Sequence, residues 1–147
     1  LDKSNLIDTN FICRGKYRAG ATSEDARKKT TLEYFLNIRE SDYILCLRGG
    51  GNFSIRFYET LLMGRIPIFI NTDCILPLMN QINWKKHVVW IEWNERNQIS
   101  DIVTKFHNSL SNNAFCELQL NNRKLWLDKL QPNYLLMHCK PYGDYNS

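Results

Sequence analysis

Hydrophobic positions in this chain fall in short runs separated by amphipathic stretches, the alternation that βαβ units produce. Tyr43-Ile44-Leu45-Cys46-Leu47 and Ile66-Pro67-Ile68-Phe69-Ile70 are continuous apolar runs, the form taken by strands covered on both faces. Pro67 removes one ladder donor and so belongs near the start of its strand. Val88-Val89-Trp90-Ile91 is a further strand, and Asn10-Phe11-Ile12-Cys13-Arg14 is expected to form the first one. Between the strands helical spacing takes over. A helix is expected after Thr22 or Ser23, with Glu24 and Asp25 at the positive end of its dipole. Leu32, Phe35 and Leu36 would form its apolar face, with Ile38 near its end. Ser54 can cap a short helix from Ile55 to Met63, which Gly64 then ends. From Asn71 to Lys86 the chain reads mostly as loop, anchored by Leu76, Pro77, Leu78 and Trp84. Ile99, Ile102, Val103, Phe106 and Leu110 recur at helical spacing within a Gln98–Leu110 helix. Phe115, Leu118, Leu125, Trp126 and Leu130 suggest another helix, which Pro132 stops. The polar tail after His138 is expected to fray. The pattern predicts an α/β fold: a Rossmann-like, mainly parallel sheet flanked by helices.

At 147 residues the chain is long enough for one domain with its own core, and its 44% hydrophobic and 23% charged composition is that of a folded domain. The net charge of +4 is mild and its basic residues are scattered, which excludes a nucleic-acid footprint. No apolar run approaches the length of a membrane span. Five cysteines, with no C-x-x-C, argue against a structural zinc site. Cys13 and Cys46 sit inside apolar runs and read as reduced core thiols. The chain does not begin with Met, which suggests a piece of a longer protein.

The segment that carries chemistry runs from Leu47 to Ile70: strand, glycine-rich loop, capped helix, Gly, strand. Three consecutive glycines, Gly49, Gly50 and Gly51, cannot sit inside a helix or strand without cost. The amides at the start of the following helix lack internal partners, and with the helix dipole they suit a phosphate. Such a crevice lies beyond the carboxyl ends of the strands. The helix itself is apolar except for Arg56, Glu59 and Thr60. Arg56 and Glu59, three apart, share one face. Arg56 is placed to reach a phosphate bidentately, and Glu59 can accept hydrogen bonds from sugar hydroxyls. The bland alternative is an exposed Arg56–Glu59 ion pair, worth under about 0.5 kcal/mol, beside a flexible turn. The loop matches neither the dinucleotide fingerprint nor a Walker loop.

Arg48-Gly49-Gly50-Gly51-Asn52-Phe53-Ser54-Ile55-Arg56-Phe57-Tyr58-Glu59-Thr60, followed by Gly64-Arg65-Ile66-Pro67-Ile68-Phe69-Ile70, resembles the core of the inverting-type glycosyltransferases of the exostosin family. Asp73, Leu76-Pro77 and Trp84 before Val88-Val89 extend the likeness, which covers roughly Phe11 to Leu110 and is strongest from Ser41 to Pro77. The resemblance implies one half of a GT-B architecture, in which two Rossmann-like halves face across a cleft. Residues 1–147 would be the single donor-binding domain, peripheral from about residue 131, with the N-terminal, acceptor-binding half absent. The implied reaction is glycosyl transfer from a nucleotide diphosphate sugar to a glycan acceptor, without a metal or other cofactor. By resemblance Arg14, Arg48, Gly49, Gly50, Gly51, Asn52, Ser54 and Arg56 would hold the donor diphosphate, and Glu59 the ribose. Acceptor contacts and the catalytic base would come from the absent half, leaving this half inactive alone. One feature departs from the pattern. Many GT-B enzymes carry a second glutamate eight positions before the ribose-binding one; here that position is Gly51, and Asn52 stands seven before.

Other candidates carry weaker signals. Lys16 and Arg18, with Arg14, line a loop at a strand end and read either as diphosphate ligands or as a solvated basic loop. Asp73 reads as a site residue or as turn chemistry with Asn71 and Thr72. His87, His107 and His138 lack metal-ligand spacing. Trp84, Trp90, Trp93 and Trp126 read mainly as core, with sugar stacking the alternative. Asn52-Phe53-Ser54 is formally a glycosylation sequon, and a glycan there would block the proposed loop. That favours a cytoplasmic or membrane-peripheral setting over a secretory lumen. Two readings from other classes remain beside the enzyme: a non-catalytic nucleotide- or glycan-binding module, and an interaction domain whose glycine loop is only a turn.

Overall fold

The computed structural model describes residue 5 and residues 7–16, 20–49 and 51–138. Its centre is a three-stranded parallel sheet in the order β1-β2-β3, with β1 Tyr43–Cys46, β2 Ile66–Asn71 and β3 Val89–Glu92. Leu45 stands opposite Ile68 in β2, and Ile68 opposite Val89 in β3. Side chains alternate between the faces, so each face gathers its own core. One core holds Ile44, Cys46 and Phe69; the other holds Ile66, Ile68, Ile70, Val89 and Ile91. Five successive residues of β2 are buried, as expected of a central strand covered on both sides.

Among the described residues five α-helices flank the sheet: α1 Glu24–Arg39, α2 Ile55–Leu62, α3 Ile99–Asn108, α4 Asn112–Leu125 and α5 Pro132–His138. Ile38 of α1, Phe57 and Leu61 of α2, the Leu76–Trp84 segment and Leu130 close over the first face. Ile99, Ile102, Val103 and Phe106 of α3, with Phe115 and Leu118 of α4, close over the second. α4 therefore begins on one side of the sheet, while its end, at Leu125, packs on the other.

Local chemistry explains three of the helix ends. Ser23 caps α1, its Oγ accepting from the Ala26 amide at 3.2 Å, with Glu24 and Asp25 in the first turn. Ser111 does the same for α4 through the Ala114 amide. α2 ends in a Schellman arrangement: Arg65 N–H donates to Thr60 O at 2.9 Å and Gly64 N–H to Leu61 O at 3.0 Å. Gly64 adopts φ +65°, and a Cβ there would lie 3.2 Å from the Gln119 carbonyl oxygen, so glycine is required both by conformation and by space.

Several expectations are corrected. Residues 10–14 form no strand: Phe11 and Ile12 are 48% and 42% exposed, and the segment lies along α1, where Asn37 Nδ2 donates to Asn10 O at 2.8 Å. A strand requires a neighbour to take up its backbone groups, and this segment pairs with no strand among the described residues. Cys13 is accordingly exposed, not a core thiol, while Cys46 is buried. Leu32 is 61% exposed, so Tyr34 and Phe35, with Ile38, supply the packed face of α1. The expected helix does end before Pro132, at extended Gln131, but Pro132 also begins a helix that the sequence pattern does not predict. The α-helical part of α4 ends at Leu125 and the run continues as a wider π turn over Trp126–Leu130; Pro132 then opens α5 at the position where its missing N–H is not needed. Trp93–Gln98, to which the sequence pattern assigns no element, is a 3₁₀ turn. Gly50, Arg18, Cys139, the polar tail and the side chain of His138 lie outside the described residues.

One buried polar residue positions the sheet. Asn122 of α4, 0% exposed, donates through Nδ2 to Arg65 O at 3.1 Å and His87 O at 2.9 Å, while its Oδ1 lies 2.9 Å from His87 Nδ1. Arg65 and His87 immediately precede β2 and the segment entering β3, so α4 is fastened across the amino ends of the strands. The carboxyl ends carry the loops.

Candidate functional site

The loop after β1 is held closed and tied to its neighbour. Gly49 N–H donates to Phe53 O at 2.9 Å. Asn52 Nδ2 donates to Thr72 O at 2.9 Å, and Thr72 Oγ1 donates back to Asn52 Oδ1 at 2.7 Å. Both functions of the Asn52 amide are thus spent on the loop after β2, which fixes the glycine loop against the adjacent strand end. Gly51 sits so close to the Phe53 ring that a Cβ would lie 3.2 Å from it. Ser54 occupies the cap position of α2, but its side chain makes no cap hydrogen bond; its carbonyl accepts from Phe57 N–H at 3.2 Å.

Arg56 and Glu59 do share a face of α2, and they do not pair with each other among the described residues. Tyr34 of α1 stands between them. Arg56 Nε donates to the Tyr34 hydroxyl at 3.3 Å, and that hydroxyl donates to Glu59 Oε2 at 2.6 Å. The guanidinium carbon also lies 5.2 Å from the Tyr34 ring centroid, a cation–π distance. Burial, then the bond to Glu59, push the Tyr34 pKa up to about 12, so the hydroxyl keeps its proton and remains a donor. Beneath, Thr60 Oγ1 donates to Arg56 O at 2.6 Å and lies 3.7 Å from the Cys46 sulfur. Burial raises the Cys46 thiol to about 12, which removes it from nucleophilic chemistry.

The remaining candidates separate by location. Arg14 is held against α1 by an ion pair with Glu33 and a contact to Thr30 O at 3.5 Å. Lys16 and Arg48 are exposed. Asp73 adopts φ 59° and donates its N–H to Asn71 Oδ1 at 3.1 Å, which is turn chemistry. His87 is committed to Asn122, and His107 of α3 lies 2.9 Å from the Tyr43 hydroxyl. Trp84 is buried with its Nε1 donating to Pro77 O, and Trp90 and Trp126 pack on the first core. Trp93, 55% exposed just after β3 and stacked with Arg96, is alone among the four in facing solvent.

Two residues were missed by sequence reasoning. Tyr34 is one; it carries no local signal, because its partners are 22 and 25 positions away. Glu92, which ends β3, is the other. Its carboxylate accepts from Asn71 Nδ2 at 2.8 Å and Trp90 Nε1 at 2.7 Å, and forms a capping box with Glu95. The bond from Asn71, followed by that from Trp90, lowers its pKa. With its oxygens so engaged, Glu92 braces the carboxyl end of β3.

A groove of about 570 Å³, lined by residues that include Lys85, His87, Leu118 and Lys124, lies at the amino end of the sheet, away from Arg56 and Glu59. Among the described residues no group of three or more His, Cys, Asp or Glu could hold a metal ion, and no helix is long and apolar enough to cross a membrane.

Known proteins share part of this sequence. Residues 7–106 match the Exostosin GT47 domain. The chain is similar to the probable glucuronosyltransferase GUT1 of Oryza sativa subsp. japonica, 28% identical over 71 residues that cover 48% of this chain and 17% of that protein. Two further probable glucuronosyltransferases of the same organism match at 28% identity over 71 residues, covering 48% of this chain and 17% and 16% of their own lengths. The chain thus spans a small part of the relatives it matches. No solved structure matches.

Proposed function

The chain belongs to the exostosin GT47 family, and from that premise we propose that it is the donor-binding half of a GT-B glycosyltransferase. It would serve transfer of a glycosyl group from a nucleotide diphosphate sugar to a glycan acceptor. The observation that carries this reading lies at the carboxyl end of the sheet: a clamped glycine loop beside a cation and a carboxylate that share one hydroxyl. In the proposed complex Arg56 and the first amides of α2 meet the diphosphate, with Arg48 and the Gly49–Asn52 loop beside it, and Glu59 accepts from the ribose hydroxyls. Arg14 joins them only by exchanging Glu33 for a phosphate.

Negative charge builds on the leaving nucleoside diphosphate as the sugar departs. A fixed guanidinium and a helix N-terminus already aimed at that group stabilise the transition state more than the ground state. The same charge balance makes a metal unnecessary in this reading. Acceptor binding and proton abstraction belong to the partner half, so this half alone turns over no substrate. The names of the relatives make a nucleotide-linked glucuronic acid the first donor to test.

Titration of the isotope-labelled chain with uridine diphosphate, and in parallel guanosine diphosphate, tests the site. The largest amide shifts are expected between Arg48 and Arg56, and binding is expected to persist in a chelator. Largest shifts in α3 relocate the site, binding that requires manganese overturns the metal-free reading, and binding of neither ligand leaves an interaction domain.

A further inference from the structure

We propose that Tyr34 is a positioning residue of this donor site, its hydroxyl orienting Arg56 toward phosphate and Glu59 toward ribose at the same time. The proposal rests on the donor reading above and adds a residue from a different helix. A phenolic hydroxyl has one proton and can accept on oxygen. Here it accepts from Arg56 Nε and donates to Glu59 Oε2, so both capacities are used.

What the hydroxyl leaves open is the useful part. With Nε committed, the guanidinium plane is set, and its two terminal nitrogens have no hydrogen-bond partner among the described residues. They form the edge that binds phosphate bidentately. With Oε2 committed, Glu59 Oε1 likewise has no partner among the described residues and remains to accept from a sugar hydroxyl.

The hydroxyl also prevents a competing arrangement. Opposite charges three apart on a helix attract each other. Paired directly, Arg56 and Glu59 would occupy each other's binding groups before any ligand arrived. Tyr34 separates them while connecting them in one polarised chain, guanidinium to hydroxyl to carboxylate. Packing holds the ring in place, half-buried against the first core and edge-to-face on Phe35 at 5.4 Å. The guanidinium then lies over that ring.

Tyr34→Phe tests the proposal, because it keeps the ring and deletes only the hydroxyl. Calorimetry on the full chain compares uridine diphosphate with 2′-deoxyuridine diphosphate, and the guanosine pair in parallel, with melting curves confirming that each variant is folded. Ribonucleotide affinity is expected to fall about tenfold, and the preference for the ribo over the deoxy form is expected to fall toward one. In a Glu59→Gln background the same change should leave that preference where Glu59→Gln alone puts it. An unchanged affinity overturns the proposal, and so does a uniform loss with the preference intact, since a purely structural tyrosine behaves that way. If the unmodified chain binds none of the four nucleotides, the donor reading itself fails.

Discussion

Asn52 and Thr72 hold each other twice, amide to carbonyl at 2.9 Å and hydroxyl to amide oxygen at 2.7 Å. The two loops that follow β1 and β2 are therefore one unit at the carboxyl end of the sheet. Asn52→Ala removes both bonds. Because the pair is exposed, the fold should lose only about 1 kcal/mol. The loop must then be ordered by the ligand, costing about 0.5–1.5 kcal/mol of nucleoside diphosphate binding. Thr72→Val, which keeps the backbone carbonyl, should cost less. Hydrogen exchange at residues 49–53, read beside calorimetry, checks this; unaltered exchange in Asn52→Ala would show that the clamp does not order the loop.

Arg56 and Glu59 should differ in kind when removed. Arg56→Ala deletes a charge-assisted phosphate contact and should weaken both a nucleoside diphosphate and inorganic diphosphate by about 1.5–3 kcal/mol. Glu59→Gln should weaken the nucleoside diphosphate more than inorganic diphosphate, which has no ribose. Calorimetry with both ligands on both variants decides it. Equal affinities throughout would make the stripe a structural feature of α2.

Asn122→Ala should destabilise the fold without touching the donor site. It leaves two backbone carbonyls and the His87 ring without their buried partner, a loss of about 2–4 kcal/mol. Denaturant melts measure this, and the nucleoside diphosphate affinity of the folded fraction should be unchanged. A cost under about 1 kcal/mol would show that the Asn122 bonds do not fasten α4 to the strand ends.

Glu92 gives the fold a pH dependence of known sign. Its pKa is lowered in the folded state, first by Asn71 and then by Trp90. The stability it contributes is therefore full above the unfolded carboxylate pKa and lost as pH falls through the folded one. Glu92→Gln should be less stable than the unmodified chain at about pH 6, and the gap should close toward about pH 3. Thermal melts across that range read the gap directly, and a constant gap would assign the effect to packing rather than charge.

Features that depend on neighbours in the chain were legible from the residues. The apolar runs at β1, β2 and β3, the cap at Ser23 and the stop at Gly64 are local events, set by side-chain period, one hydroxyl and one missing Cβ. The order of strand, glycine loop and helix placed Arg56 and Glu59 on one face, and the same residues carried the family resemblance. Features that depend on distant neighbours came only with the packed chain. Residues 10–14 have the composition of a strand but no strand partner among the described residues, and Pro132, legible as a stop, also begins a helix whose Tyr134 and Leu135 pack on the first core. Tyr34 joins Arg56 and Glu59 from another helix, and Asn122 reaches two carbonyls from 57 and 35 positions away. Periodicity states which face of an element is buried; it does not state which other element covers that face. The hydrogen bonds that order this site run between elements, so packing, not pattern, assigned their partners.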